Sequence, residues 1–307
     1  MNSEIWAIGG GKGGTGKSFV TSSLGLNLAH LGKRVTLIDG DLGGANLHSF
    51  LKVPKPKYSL TDFFEKKVPL SEIIVDTAIP NLRFVTGDVR SLNTIGLKQT
   101  QKLKLYRHIK NISADYVLID LGAGSGHNTI DTFLMADKMI VVILPEITSI
   151  ENLYHFIKKV LFRKLNILLG DHGLKDVAKK AWDNRLPNKI SSIKELIQHI
   201  MEISPEIRTL VEKALAEFKI YIIVNQIKNS EHLETGSAVK SVLTKYFGID
   251  ARLSGFIQYT DFFWKFVKHS SSTPQFISPA STSNELREIV LNLLEDKQVK
   301  IPDIDNG

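Results

Sequence analysis

The sequence contains no cysteine. Disulfide bonds, iron–sulfur clusters and zinc sites built on thiolates are therefore excluded. It also has no apolar run of the roughly 20 residues that a bilayer-spanning helix needs. Internal repeats and low-complexity segments are lacking as well. The start of the chain has the pattern of an apolar strand and not of a leader segment, so we expect a cytoplasmic protein.

The balance of charge is positive but does not discriminate between functions. The chain has 39 Lys plus Arg against 32 Asp plus Glu, a net charge of +7. Such an excess is compatible with nucleic acid or anionic lipid as a partner, and it is also ordinary for an enzyme that binds nucleotides. At 307 residues the chain is long enough for one large α/β domain.

A glycine-rich stretch near the start carries the most specific pattern, G-x-x-x-x-G-K-[ST]. An apolar strand pattern at 5–8 precedes it and a helical pattern at 19–31 follows, so the glycines can curl the backbone around phosphate at a helix N-terminus. In this pattern Lys17 reaches the β- and γ-phosphates, and the Ser18 hydroxyl binds Mg²⁺. A glycine-rich turn without a ligand is the alternative. The predicted nucleotide-binding residues here are Gly11, Lys12, Gly13, Gly14, Thr15, Gly16, Lys17 and Ser18.

A second lysine inside the loop, Lys12, narrows the assignment. The run K-G-G-x-G-K-[ST] resembles the deviant phosphate-binding loop of the MinD/ParA ATPases. The passage 145–150, which we expect to lead into a helix from Glu151, resembles the MinD and FlhG branch in particular. The resemblance implies that Lys12 crosses a dimer interface and stabilises charge on the phosphoryl group held by the other subunit. A solvated surface lysine is the alternative.

Carboxylates follow two further strand patterns. Residues 34–39 and 116–120 are both apolar and both end in aspartate. Ligands of open α/β sheets collect at that edge. The resemblance implies that Asp39 holds a Mg²⁺-bound water and that Asp41 orients the attacking water. It implies that Asp120 serves the metal from its second shell, as a Walker-B carboxylate does. A turn with acidic helix caps is the alternative for the first two acids.

A fourth strand pattern, 219–224, is followed by Asn225. The resemblance implies that Asn225 hydrogen-bonds adenine, since an amide can pair with both a ring nitrogen and the amino group. A residue that merely caps the loop is the alternative. Phe262, Phe263 and Trp264 lie near the adenine-flanking loop of the family and would stack on the base or belong to the core.

The resemblance weakens between residues 163 and 218, where the pattern is helical. An apolar stripe follows Ser192, and Ser204 with Pro205 has the pattern of a helix start. We interpret 163–218 as a helical segment inserted in a single P-loop ATPase domain, residues 1–307. It would serve as a lid on the core or as a surface that docks a partner.

Elsewhere strands and helices alternate, which predicts an α/β fold with a doubly wound, mostly parallel sheet flanked by helices. The tail 298–307 is neither basic nor helical in pattern. We therefore expect no membrane anchor of the kind that usually ends MinD and FlhG proteins.

Together these features predict a Mg²⁺-dependent ATPase that acts as an ATP-driven dimerising switch in the positioning of a flagellum, division site, chromosome or other polar structure. The expected cofactors are ATP and Mg²⁺. The expected partners are a second copy in the ATP state and a protein partner or activator, with non-specific DNA also possible.

The alternative is an ATP-binding scaffold without significant hydrolysis that docks a partner through the inserted helices. It is motivated by the divergent segment 163–218 and by Leu121, which stands where family members carry a small polar residue. A biosynthetic ligase ranks last, because nothing in the sequence marks an acceptor-substrate site.

Overall fold

The computed structural model describes residues 3–41, 47–51, 53–54, 56–87, 99–259 and 280–299. The aromatic cluster expected near adenine, 262–264, and the tail beyond residue 299 lie outside the described residues. Across the described part of the chain, no helix combines the length and the apolar character that a membrane crossing needs.

The elements follow one another in the alternating order that the sequence predicts. Strands β1 to β8 span Glu4–Gly9, Val35–Asp39, Val75–Asp76, Leu82–Val85, Tyr116–Asp120, Lys138–Ile143, Lys219–Ile227 and Asp250–Gln258. Helices α1 to α12 span Lys17–His30, Leu47–Leu51, Leu60–Glu65, Leu70–Ile73, Gln99–Lys110, His127–Leu134, Ile147–Asp171, Val177–Asp183, Ile193–Met201, Pro205–Ala216, Glu231–Phe247 and Ala280–Leu294.

The strands form one eight-stranded sheet in the order β3-β4-β2-β5-β1-β6-β7-β8. All neighbours are parallel except β3, which runs antiparallel to β4. The chain starts in the middle of the sheet, winds to one side and then to the other, which confirms the doubly wound prediction. Separate clusters of buried apolar side chains cover the two faces, as a sheet with helices on both sides requires.

The edge strand β3 has no counterpart among the patterns of the sequence. It has two residues, of which Asp76 is exposed and Val75 half-buried. A run this short has no periodicity that could be recognised, and only its pairing with β4 makes it a strand.

Register brings the carboxyl ends of the central strands together. Asp120 at the end of β5 is the neighbour of Ile8 in β1 on one side and of Asp39 in β2 on the other. The order of winding reverses at β1, so this edge is the switch point where open α/β sheets bind their ligands.

The predicted inserted segment is helical, as expected. Helix α9 begins with a capping box, in which Ser192 Oγ accepts a hydrogen bond from the Glu195 N–H at 3.2 Å. Helix α10 begins after Ser204 with Pro205 in its first turn. Helix α7 runs through Arg163 without interruption, so no break in secondary structure marks the start of the segment. Its status as an insertion stays a prediction.

Helix α7 also begins earlier than the sequence pattern suggests, at Ile147 and not at Glu151. The Ser149 hydroxyl accepts a hydrogen bond from the Leu144 N–H at 3.0 Å, and the Ser149 N–H donates to the Glu146 carbonyl at 3.0 Å. These bonds tie the first turn of the helix to the end of β6, a tertiary effect that periodicity does not register.

A polar cluster fastens the end of α12 to the far edge of the sheet. The Asp296 carboxylate accepts hydrogen bonds from Lys219 Nζ at 2.9 Å and from the Tyr221 hydroxyl at 2.7 Å. Arg252 Nη1 lies 2.6 Å from the same carboxylate. Partial burial alone would raise the pKa of Asp296, but these three partners lower it to about 2.

We expect Asp296→Asn to lower the free energy of unfolding by about 1 kcal/mol at pH 7, a charge-assisted contribution reduced because the carboxylate is partly exposed. The native pKa lies below that of the unfolded chain, so this stabilisation is present above about pH 4 and is lost as the pH falls towards 2. Urea unfolding at pH 7 and pH 3 measures the difference.

Glu295→Gln, which removes a neighbouring exposed carboxylate, is the matched control and should change stability little. A loss in Asp296→Asn that is the same at pH 7 and pH 3 would contradict the ionic origin of the effect.

Candidate functional site

The loop between β1 and α1, residues 10–16, has a shape that requires its glycines. Gly14 and Gly16 have φ angles of +77° and +90°, a region that favours glycine. At Gly11 a Cβ would overlap the carbonyl oxygen of Asn152 in α7. The loop therefore curls tightly and lies directly against the first turns of α7.

The N-terminus of α1 opens onto this loop. In this described part of the chain no side chain caps the helix, and its first turn has no acidic residue. The helix dipole therefore favours an anion at this point. Lys17, the first residue of the helix, is 8% exposed, and its Nζ donates to the Lys12 carbonyl at 3.1 Å. Burial lowers the pKa of Lys17, opposed by the charges of Asp120 and Asp41.

Two buried carboxylates lie side by side at the same edge. Asp39 is 0% exposed and Asp120 is 2% exposed. Burial raises the pKa of Asp39 to about 7 and that of Asp120 to about 6, and neighbouring carboxylates add to both shifts. The hydroxyls of Ser18 and Thr21 hydrogen-bond to Asp120, the latter at 3.3 Å. Asp39 accepts the N–H of Leu47 at 3.0 Å.

This donor set fits a hydrated divalent cation. Asp39 and Asp120 are costly to ionise where they lie, and a dication beside them would offset that cost. The Ser18 hydroxyl, on Asp120, supplies a neutral oxygen ligand of the kind that Mg²⁺ accepts. Among the described residues no three His, Cys, Asp or Glu side chains form a cage of their own.

Lys12 is bound within its own chain. Its Nζ lies 2.7 Å from Glu146 Oε2 and 2.9 Å from Thr148 Oγ1, both at the start of α7. The side chain is 31% exposed. It is therefore not simply solvated, and its charge is held beside the loop by an acid that the sequence reasoning gave no role. The pattern at 145–150 drew attention to this passage, but only the fold brings it to Lys12.

Asp41 and Leu121 have different surroundings: Asp41 lies beside the loop that follows β5, whereas Leu121 is buried. The Asp41 carboxylate contacts the loop after β5, where a Cβ on Gly122 would come within 2.9 Å of its Oδ1. Leu121 is 3% exposed, and its methyl groups lie 3.4 Å and 3.6 Å from the Cβ positions that Gly9 and Gly40 would have. Its side chain thus belongs to the core beneath the site.

Asn225, at the edge of the loop, is 4% exposed. Its Nδ2 donates to the Thr15 carbonyl at 2.9 Å, and its Oδ1 accepts the Gln226 N–H at 2.9 Å. A Cβ at Gly16 would overlap the same amide nitrogen. Asn225 therefore supports the glycine-rich loop, a contact that the sequence did not reveal, while its role towards adenine stays a prediction.

Comparisons with known proteins identify the family of the chain. A protein-family model described as an AAA domain matches residues 3–169, more than half of the chain. The antiactivator FleN of Pseudomonas aeruginosa is 32% identical over 173 residues, covering 56% of this chain and 58% of FleN. The chain belongs to the MinD/ParA family of P-loop ATPases, in the FlhG/MinD branch.

Another relative of this MinD/ParA protein is the septum site-determining protein MinD of Helicobacter pylori, 34% identical over 150 residues. The match covers 48% of the chain and 55% of that MinD. The chain thus spans little more than half the length of the curated relatives it matches.

Solved structures match over nearly the whole length. MinD of Pyrococcus horikoshii complexed with Mg-ADP has a TM-score of 0.58 at 20% identity, covering 95% of this chain and 96% of that one. The MinC:MinD complex of Aquifex aeolicus gives a TM-score of 0.61 at 21% identity, covering 99% of this chain and 100% of that one. At these identities the likeness shows the fold.

Gly16→Ala should destabilise the protein more than Gly14→Ala does. Both glycines have positive φ, and an alanine there costs roughly 1–2 kcal/mol. Only at Gly16 would the new methyl group also overlap Asn225, whereas nothing lies within 4 Å of it at Gly14. Urea unfolding of the two variants measures the difference.

The double variant Gly16→Ala with Asn225→Ala isolates the clash. Once the amide is removed, the additional cost of the alanine at position 16 should fall to that at position 14. Equal losses in the two single variants would contradict the packing of Asn225 on the loop.

Proposed function

We propose that this MinD/ParA protein is a Mg²⁺-dependent ATPase that works as an ATP-driven dimerising switch. One observation carries the proposal: the buried Lys17 and the buried carboxylate pair converge on a curled glycine loop at an uncapped helix N-terminus. Each group alone is costly to bury, and a metal-bound polyphosphate would compensate all of them together.

In this proposal the loop and Lys17 bind the phosphates of ATP. Backbone N–H groups of residues 11–18 surround the β-phosphate, and the Lys17 ammonium exchanges its bond to the Lys12 carbonyl for the β- and γ-phosphate oxygens. Burial leaves the ammonium poorly solvated and lowers the pKa of Lys17, so an anionic partner would stabilise its charged form. Asn225 keeps the loop in position through the Thr15 carbonyl.

Ser18, Asp39 and Asp120 are the residues that would hold Mg²⁺, the hydroxyl directly and the carboxylates through waters. Bound there, the metal would neutralise charge that develops between the β- and γ-phosphates. Burial raises the pKa values of Asp39 and Asp120, so a cation bound beside them would stabilise their ionised forms.

Hydrolysis would proceed by attack of water on the γ-phosphorus. The new bond to the water oxygen forms as the bond to the β–γ bridging oxygen breaks, which gives ADP, inorganic phosphate and a proton. Asp41, whose carboxylate reaches the loop after β5, would orient this water. Lys12 of a second copy would stabilise the charge on the transferred group.

The ion pair of Lys12 with Glu146 bears on the dimer. A lysine that serves the nucleotide of another subunit must first leave this partner, which it holds at 2.7 Å. The pair is partly exposed, so its loss costs at most about 1 kcal/mol, less than a contact with phosphate returns. Ile147, 77% exposed beside it, offers apolar surface to the same interface.

The relatives suggest the cellular role. FleN is named as an antiactivator and MinD as a septum site-determining protein. We propose a task of this kind, the positioning of a flagellum, division site or other polar structure, with a protein partner or activator. The net charge of +7 keeps non-specific DNA as a possible working surface.

The alternative function is a scaffold that binds ATP without significant hydrolysis. The position of Leu121 weakens one of the arguments for it. Leu121 lies in the core, so its bulk does not displace Asp41 or the carboxylate pair. Steady-state release of phosphate, measured with candidate partners and with DNA present, separates the two functions. Appreciable stimulated release excludes the inert scaffold.

Lys12→Ala should still bind ATP, because Lys17 and the loop remain. It should lose ATP-dependent dimerisation or at least about a hundredfold in hydrolysis, the magnitude typical of one lost charge-stabilising group. Labelled-ATP binding, sedimentation and phosphate release measure the three properties separately.

Lys33→Ala, at an exposed position away from the loop, is the matched control. Lys17→Ala should lose ATP binding altogether. Unchanged turnover in Lys12→Ala would refute the role across the dimer interface.

Asp41→Ala should trap the ATP state, because the water is no longer oriented while the phosphates are still bound. As bait it should retain whatever partner the dimer recruits, and mass spectrometry would identify that partner. Asp41→Ala combined with Lys17→Ala is the control that cannot hold nucleotide. Equal capture by the two baits would show that the partner does not recognise the ATP state.

A further inference from the structure

A cavity of about 700 Å³ lies where α6, α7 and α8 meet, outside the nucleotide site. Its volume is in the range of ligand-binding pockets. One side is the α7 helix from His155 to Asn166, and the facing side comes from the segment 175–193. Nothing in the proposed ATPase mechanism uses these residues.

The cavity is strongly cationic. Its lining includes five lysine and arginine side chains against one carboxylate, that of Asp176. Arg163 is neutralised by the buried Asp131, whose Oδ1 lies 2.7 Å from Arg163 Nε. The lysines on the α7 side and on the α8 side remain as an excess that an anionic ligand would offset. These lysines are Lys158, Lys159, Lys175 and Lys179.

The rest of the lining is apolar and aromatic. Phe162, Trp182 and Ile193 line the cavity, and Lys158 Nζ lies 4.5 Å from the centroid of the Trp182 ring. A pocket that combines apolar walls with lysines matches a ligand that carries carboxylates beside an apolar side chain.

The spacing of the charges favours an extended ligand over a small inorganic anion. Lys158 and Lys159 lie on the α7 side of the cavity, and Lys175 and Lys179 stand on the facing side. A single phosphate would need donors that converge on one point, whereas a peptide can place carboxylates on both sides of the cavity. Duplex DNA presents a convex backbone that a cavity of this size does not accept.

We propose that this cavity binds an acidic peptide segment of a partner protein, with its glutamates or aspartates on the lysines and an apolar side chain against Trp182. The site adjoins the nucleotide-binding edge. Lys159 Nζ donates to Ser125 Oγ at 2.7 Å, and Ser125 lies on the loop that follows Asp120. The inference goes beyond the ATPase proposal and does not depend on it.

A fluorescein-labelled hexapeptide tests this, with four glutamates around a central leucine–phenylalanine pair. Its counterpart with glutamines at the four positions has the same shape without charge. Fluorescence anisotropy is measured without nucleotide, so the result is independent of ATP binding. We expect the acidic peptide to bind, more weakly as salt is raised, and the glutamine peptide to bind at least about tenfold more weakly.

Two double variants locate the binding. Lys175→Glu with Lys179→Glu should weaken binding of the acidic peptide about tenfold or more. Lys180→Glu with Lys194→Glu changes the net charge equally at exposed positions outside the cavity and should leave affinity within about twofold. All four lysines are exposed, and thermal unfolding of each variant verifies that the fold is kept.

Other outcomes would overturn the proposal. Equal losses in the two double variants would mean that net charge alone attracts the peptide. Similar binding of the acidic and glutamine peptides would remove the ionic basis. Displacement of the peptide by equimolar inorganic pyrophosphate would make the cavity a small-anion site, and displacement by a short DNA duplex would make it a nucleic-acid site.

Discussion

The glycine-rich loop of residues 10–16 is held in its shape by two distant parts of the chain, helix α7 and Asn225. The backbone of α7 at Asn152 leaves no room for a side chain at Gly11, and the amide of Asn225 leaves none at Gly16. Asn225 also donates a hydrogen bond to the Thr15 carbonyl, so this carbonyl does not need an N–H group of the loop as its partner. The curled backbone is thus fixed by packing before any ligand arrives, which is the preorganisation that phosphate binding exploits.

Around that loop, ionisable side chains are buried, which costs electrostatic free energy. Asp39, Asp120 and Lys17 are nearly inaccessible to water. Burial favours the neutral form of each group, so it raises the pKa of the two acids and lowers the pKa of the lysine. Such groups are poor contributors to stability, because desolvation offsets most of their mutual attraction. Their placement is understandable when a polyphosphate and its cation complete the set. At the opposite end of the sheet, Asp296 does have compensating partners, since two cations and a hydroxyl contact its carboxylate and lower its pKa.

Much of the fold follows from local patterns. The apolar runs at 5–8, 34–39, 116–120 and 219–224 predicted four strands of the sheet, and the Ser192 and Ser204 caps marked the starts of α9 and α10. The errors occurred where long-range contacts override local ones. The two residues of β3 are a strand only through β4, and α7 begins at Ile147 because Ser149 bonds back to Leu144. Likewise, Leu121 differs from the small polar residue that family members carry, which looked significant in the sequence, but its side chain is buried in the core.

The sequence by itself determined the doubly wound class, the glycine-rich loop between β1 and α1 and the acids that end β2 and β5, because strand periodicity and motif spacing are local properties. Only the tertiary structure decided that Glu146 holds Lys12, that Asn225 supports the loop and that lysines of α7 and of the segment 175–179 line one cavity. These contacts join residues far apart in the chain, and their geometry depends on the packing of helices on the sheet, which no local pattern encodes.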